Sequence, residues 1–104
     1  MLSLLILGMD INKRLEECRN EINEIDAEFL KLFIKRMKVA GEIGDIKAMA
    51  GLPVYNAKRE AFVKERAVNA APEDLQEYVS SLYDSVFEIS RKYQKDKGQK
   101  ENEI

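Results

Sequence analysis

Apolar residues recur at Ile11, Leu15, Cys18, Ile22, Ile25, Phe29, Leu32/Phe33, Ala40 and Ile43, alternately three and four apart. That period predicts one long helix from Asp10 to about Ala50. Asp10 is of the type that caps a helix N-terminus. Gly51-Leu52-Pro53 supplies the stop, because glycine ends helices and proline biases the residue before it away from helix. A second, shorter helix is expected from Asn56, another capping residue, to about Ala70. Pro72, followed by Glu73 and Asp74, opens a third with acids on the positive end of the dipole. Its stripe is Leu75, Val79, Leu82, Val86, Ile89 and Tyr93.

The ends read differently. Residues 1–8 are an apolar run, too short to cross a membrane and without the early basic residue of a signal peptide, the first being Lys13. Residues 1–9 are therefore expected to be an N-terminal extension or a strand-like arm, and the cytoplasm is the default compartment. Residues 96–104 form a polar tail, expected to fray from about Lys95. Between them, residues 10–95 read as one all-α domain of three helices, one very long.

Length turns this pattern into an argument about assembly. A helix of about 40 residues is roughly 60 Å long, whereas a compact 100-residue domain has a radius of gyration near ~13 Å. Two shorter helices of the same chain cannot cover such a stripe. The economical partner is the same helix from a second copy, which makes a homodimer.

Composition narrows the chemistry. The chain has 104 residues, 35% charged and 45% apolar, so it can build a core. Seventeen basic and 19 acidic residues give a net charge of −2, which excludes a global basic field for nucleic acid. With no histidine, imidazole relays and histidine zinc motifs are excluded. One cysteine, Cys18, excludes an intrachain disulfide and a multi-cysteine zinc cage. The glycines match neither a P-loop nor a dinucleotide fingerprint.

Cations nonetheless stand where apolar residues are expected. The stripe of the long helix places Arg36 and Lys47 on its buried face. Around Arg36, one turn away, lie Leu32, Phe33, Val39 and Ala40; around Lys47 lie Ile43, Gly44, Ala50 and Gly51. Arg59 is flanked by Tyr55, Asn56, Phe62 and Val63. None has an acid one turn away on its helix, whereas Lys13 faces Glu17 and Lys38 faces Glu42 as ordinary surface pairs do. Two readings are open for each cation. Its stem can lie on the core with the head in water or on an acid of another helix, or it can meet a bound anion. Lys58 and Arg66 also lack helical acids, so the criterion is not diagnostic alone. Three cations within or beside apolar stripes favour an anion site, and arginine's planar fork suits a carboxylate.

Arg19 adjoins the stripe at Cys18 and lies 17 residues from Arg36, about 25 Å along one helix. The two can approach one small molecule only if long helices of two copies pair antiparallel, which gives two sites per dimer. Ser90 and Gln94, four apart, either line a common pocket wall or mark an exposed helix end. Glu60, next to Arg59, either joins the site or pairs on the surface with Lys64.

Taken in order, Arg19-x-x-Ile22-x-x-Ile25-Asp26, Leu30, Arg36, Ala40, Ile43-Gly44, Lys47, Pro53-Val54 and Arg59-Glu60 resemble the all-α-helical chorismate mutases. The resemblance runs from about Ile11 to Gln94. It implies an intertwined antiparallel homodimer that rearranges chorismate to prephenate without a cofactor or metal. By position it implies that Arg19 reaches across from the second subunit to a substrate carboxylate, and that Arg36 binds a carboxylate in its own subunit's site. Lys47 would contact a carboxylate and the ether oxygen. Arg59 would support the carboxylate side, Glu60 would hold the ring hydroxyl, and Ser90 and Gln94 would fall on third-helix site positions, with Gln94 at the ether oxygen. Asn56 departs from the pattern, since relatives often carry aspartate there, at the ring hydroxyl.

The implied chemistry agrees with the missing reactive groups. A Claisen rearrangement is unimolecular and needs neither nucleophile nor proton transfer. The alternatives are an isochorismate-pyruvate lyase, similar in fold and cationic pocket, and a non-catalytic helical dimerisation or regulatory module. Glu60 beside Arg59 leans towards the mutase. A plain coiled coil fits less well, because Arg36, Lys47 and two further helices interrupt its seam.

Overall fold

The computed structural model describes residues 10–102, and side chains for residues 10–98. The extension at residues 1–9 and the last two residues of the tail lie outside the described residues. Helix α1 spans Ile11–Met49, α2 spans Ala57–Ala70, and a single 3-10 turn, Glu73–Leu75, leads into α3, Gln76–Asn102. The three-helix, all-α reading holds, and no strand occurs among the described residues. Nor is any described helix long and apolar enough to cross a membrane. The chain divides into a first unit ending at Lys35 and a second beginning at Arg36, with α1 contributing to both.

In the first unit Asp10 is the N-cap: its Oδ1 accepts from the backbone N–H groups of Asn12 at 3.0 Å and Lys13 at 3.3 Å. These satisfy donors that a helix start otherwise leaves open. Glu17 pairs with Arg14 at 3.2 Å, three residues away, rather than with Lys13 as the spacing suggested. The apolar stripe is present but uncovered within one chain: Ile22 is 54% exposed, Ile25 59% and Phe29 56%.

The second unit holds the core. Helix α1 ends as its glycine predicts. Gly51 takes φ +69°, the Leu52 N–H bonds the Lys47 carbonyl at 2.8 Å, and the Gly51 N–H bonds that of Ala48 at 3.3 Å. Those two bonds are a Schellman cap, and the left-handed backbone at its centre favours glycine. Asn56 caps α2 as expected, its Oδ1 accepting from the Arg59 N–H at 3.0 Å. Ala40 and Phe87 are buried, and Tyr83 stacks obliquely on Phe87 with ring centroids 5.8 Å apart. Two glycines let α1 approach α3 closely. A Cβ on Gly41 would stand 3.0 Å from the Tyr93 ring, and one on Gly44 would stand 3.0 Å from Gln94 Cγ.

Helix α3 does not fray at Lys95 but continues through Asn102. Polar residues after Lys95 still make local and tertiary pairs: Lys92 with Asp96 at 2.9 Å, and Lys97 with Asp45 of α1 at 2.8 Å. Absence of an apolar stripe there did not mean absence of helix.

Candidate active site

Three helical segments of the second unit line an open cavity of about 260 Å³. The end of α1 contributes Arg36 and Lys47, the start of α2 contributes Asn56, Arg59 and Glu60, and α3 contributes Ser90, Arg91 and Gln94. Seven residues singled out by spacing or resemblance therefore meet at one place. The eighth, Arg19, belongs to the first unit and is exposed.

The polar partners are mostly neutral. Arg36 donates from a guanidinium nitrogen to Ser90 Oγ at 3.1 Å. Ser90 itself is only 8% exposed, so it is a wall of the cavity and not a fraying helix end. Lys47 donates from Nζ to the Val54 carbonyl at 2.8 Å. The loop between α1 and α2 thus turns back onto the side chain it follows. Arg59 lies over the Phe62 ring at 5.4 Å from the centroid. Among the described residues, none of these three cations has a carboxylate within ion-pair distance. The burial expected of them is only partial. Lys47 is half-buried, while Arg36 and Arg59 count as exposed in the single chain, because only part of each side chain rests on a neighbour.

Gln94 donates its Nε2 to the Ala40 carbonyl at 2.8 Å and lies against Gly44. That contact fixes the amide plane and leaves its second N–H for another acceptor. Asn56 uses its side-chain oxygen on the α2 cap, so its N–H groups are what it can offer to the cavity.

Glu60 does not pair with Lys64, as its surface alternative required. Arg91 donates to both its oxygens, at 2.5 and 2.6 Å, while Lys64 pairs with Asp84 at 2.8 Å. The Arg91 guanidinium also lies 5.1 Å from the centre of the Tyr55 ring. Hydrogen bonding to Glu60 raises the Arg91 pKa above its ordinary value. Sequence reasoning passed over Arg91. It lies off the apolar stripe, and Glu88 three residues earlier gives it the look of a surface pair. Its position beside Ser90 and three before Gln94 was the available signal.

The cavity thus presents four cations and one carboxylate, with the carboxylate already matched. Such a surplus suits a small anion with more than one carboxylate.

Comparison with known proteins agrees. The pattern defining the family described as chorismate mutase type II matches residues 18–95. The T-protein of Haemophilus influenzae is 28% identical over 97 residues, covering 92% of this chain but 24% of its own length. The chorismate mutase of Methanocaldococcus jannaschii is 35% identical over 54 residues, 52% of this chain and 54% of that protein. The chain therefore spans about a quarter of the one relative and about half of the other. The structure of chorismate mutase (form II) from Thermus thermophilus superposes with a TM-score of 0.75 at 26% identity, covering 79% of this chain and 94% of that one. With the family pattern matched across most of its length, this chain belongs to the chorismate mutase type II family.

Proposed function

We propose that the chain is a chorismate mutase, converting chorismate to prephenate, and that it works as a homodimer in which Arg19 of a second copy completes each site. The observation that carries this reading is the state of Arg36 and Lys47. Both are held by neutral acceptors, Ser90 Oγ and the Val54 carbonyl, so their charge is available to a ligand carboxylate.

The reaction asks little of a reactive side chain. In chorismate the ether C–O bond breaks as a C–C bond forms within the same molecule, with no proton or group leaving. The protein must hold a flexible dianion in its compact, chair-like conformer, which is an orientation contribution. Arg36, supported by Arg59 and by Arg19 of the second copy, fixes the carboxylates. Negative charge grows on the ether oxygen as the C–O bond lengthens. Lys47 retains two N–H donors beyond its bond to Val54, and Gln94 retains one beyond its bond to Ala40. Donors already oriented where charge develops stabilise the transition state without reorganising. Glu60 accepts from the ring hydroxyl, and Asn56 donates at the same end.

Support for the homodimer comes from the uncovered stripe of the first unit. A product-resolved assay with chorismate tests the proposal. Prephenate formed well above the uncatalysed background, and lost in Lys47→Ala, is the expected result. Unchanged chorismate would overturn it, and pyruvate release from isochorismate would identify the lyase instead.

A further inference from the structure

Arg91 is not among the residues that carry the family resemblance, yet it lines the cavity and makes the one ion pair found there among the described residues. We propose that Arg91 is a positioning residue that withholds Glu60 from the anion-binding cations and fixes its carboxylate for a ligand hydroxyl. The inference rests on the mutase reading for the identity of that hydroxyl, but its electrostatic part concerns any small dicarboxylate.

Glu60 follows Arg59 in sequence and shares the cavity wall with Arg36 and Lys47. A carboxylate loose in that wall is an internal competitor for the ligand, because it can close on the cations that should bind the substrate. Opposite charges a few ångströms apart at a half-buried site attract strongly enough for this to matter. Arg91 prevents it by engaging both oxygens from α3, at 2.5 and 2.6 Å. The pair is largely shielded, with side-chain exposures of 29% for Arg91 and 22% for Glu60. Tyr55 backs the guanidinium, limiting the positions it can take.

The clamp still leaves Glu60 useful. Each carboxylate oxygen can accept more than one hydrogen bond, and Arg91 takes one on each. The remaining capacity can serve a hydroxyl donor. Helix α3 therefore holds two groups of the cavity wall, Arg36 through Ser90 and Glu60 through the adjacent Arg91.

Phthalate, a ring dicarboxylate without a hydroxyl, isolates the electrostatic part. Its affinity is measured by calorimetry for the parent protein, Arg91→Ala, Arg91→Lys and the double variant Arg91→Ala/Glu60→Gln. Releasing Glu60 in Arg91→Ala should weaken phthalate about tenfold, the effect of a unit charge roughly 12 Å away at an effective dielectric of about 20. Arg91→Lys, which keeps a cation on Glu60, should stay near the parent. The double variant should recover parental affinity or better, because the competing carboxylate is gone. A purely architectural role for Arg91 would not be repaired by altering a second residue. Unchanged affinity in Arg91→Ala, no recovery in the double variant, or no phthalate binding by the parent would each overturn the proposal. Chorismate turnover measured on the same parent preparation reports separately on the mutase reading, so the two can fail independently.

Discussion

The same helix has two characters on either side of Lys35. Before it, apolar residues at helical spacing lie open within one chain, with Leu32 64% and Ile25 59% exposed. After it, α1 lies partly against α3: Ala40 is 6% exposed and cations rest on neutral acceptors, although Val39 and Ile43 stay open at 47% and 43%. The apolar period is similar in both regions, so period alone says that a face is to be covered, not by what. What differs is the partner: α3 in the second unit, and in our proposal a second copy for the first.

Breaking the first region should have the largest effect. Phe29→Asp places a charge on the uncovered face, and we expect monomers in analytical ultracentrifugation together with loss of turnover. A Phe29→Asp protein that stayed dimeric would remove the proposed interface. Lys47→Ala attacks the second region instead. Turnover should fall by about 10²- to 10³-fold, as for other preorganised donors to a developing oxyanion, while the dimer persists. Gly44→Ala sharpens the contrast within that region. Its new Cβ would stand 3.0 Å from Gln94 Cγ, so the amide must shift, and kcat should drop about tenfold with little change in dimerisation. Asn56→Ala should do least. Loss of the α2 cap should cost about 1 kcal/mol, read as a lowered midpoint in denaturant, with a smaller effect on turnover.

Local rules made most of the fold legible. Asp10 and Asn56 cap as their types predict, and Gly51 adopts the left-handed backbone that a helix stop requires. Much of the candidate site was also legible, because Arg36, Lys47 and Arg59 break apolar surroundings without a local acid, and all three line one cavity. What escaped depends on contacts between distant residues. Glu60 and Lys64 are one turn apart, yet each pairs across helices, with Arg91 and Asp84. Arg91 was hidden because a helical neighbour, Glu88, offered it a local partner. The continuation of α3 past Lys95 was hidden because polar residues carry no stripe, although Lys97 reaches Asp45 of α1. Local spacing cannot rank a tertiary pair above a helical one, because it carries no information on which residue of another helix lies alongside.

Subunit complementation tests the central claim most directly: a cationic cavity in the second unit is completed by Arg19 of another copy. Arg19→Ala and Lys47→Ala chains, each nearly inactive alone, are unfolded together, refolded and assayed with chorismate. In a mixed dimer one site regains both residues and the other loses both, so about a quarter of all sites should become intact after random pairing. Turnover near that fraction of the parent is the predicted result. Turnover no greater than the sum of the separate variants, in a preparation shown to contain mixed dimers, would contradict the shared site.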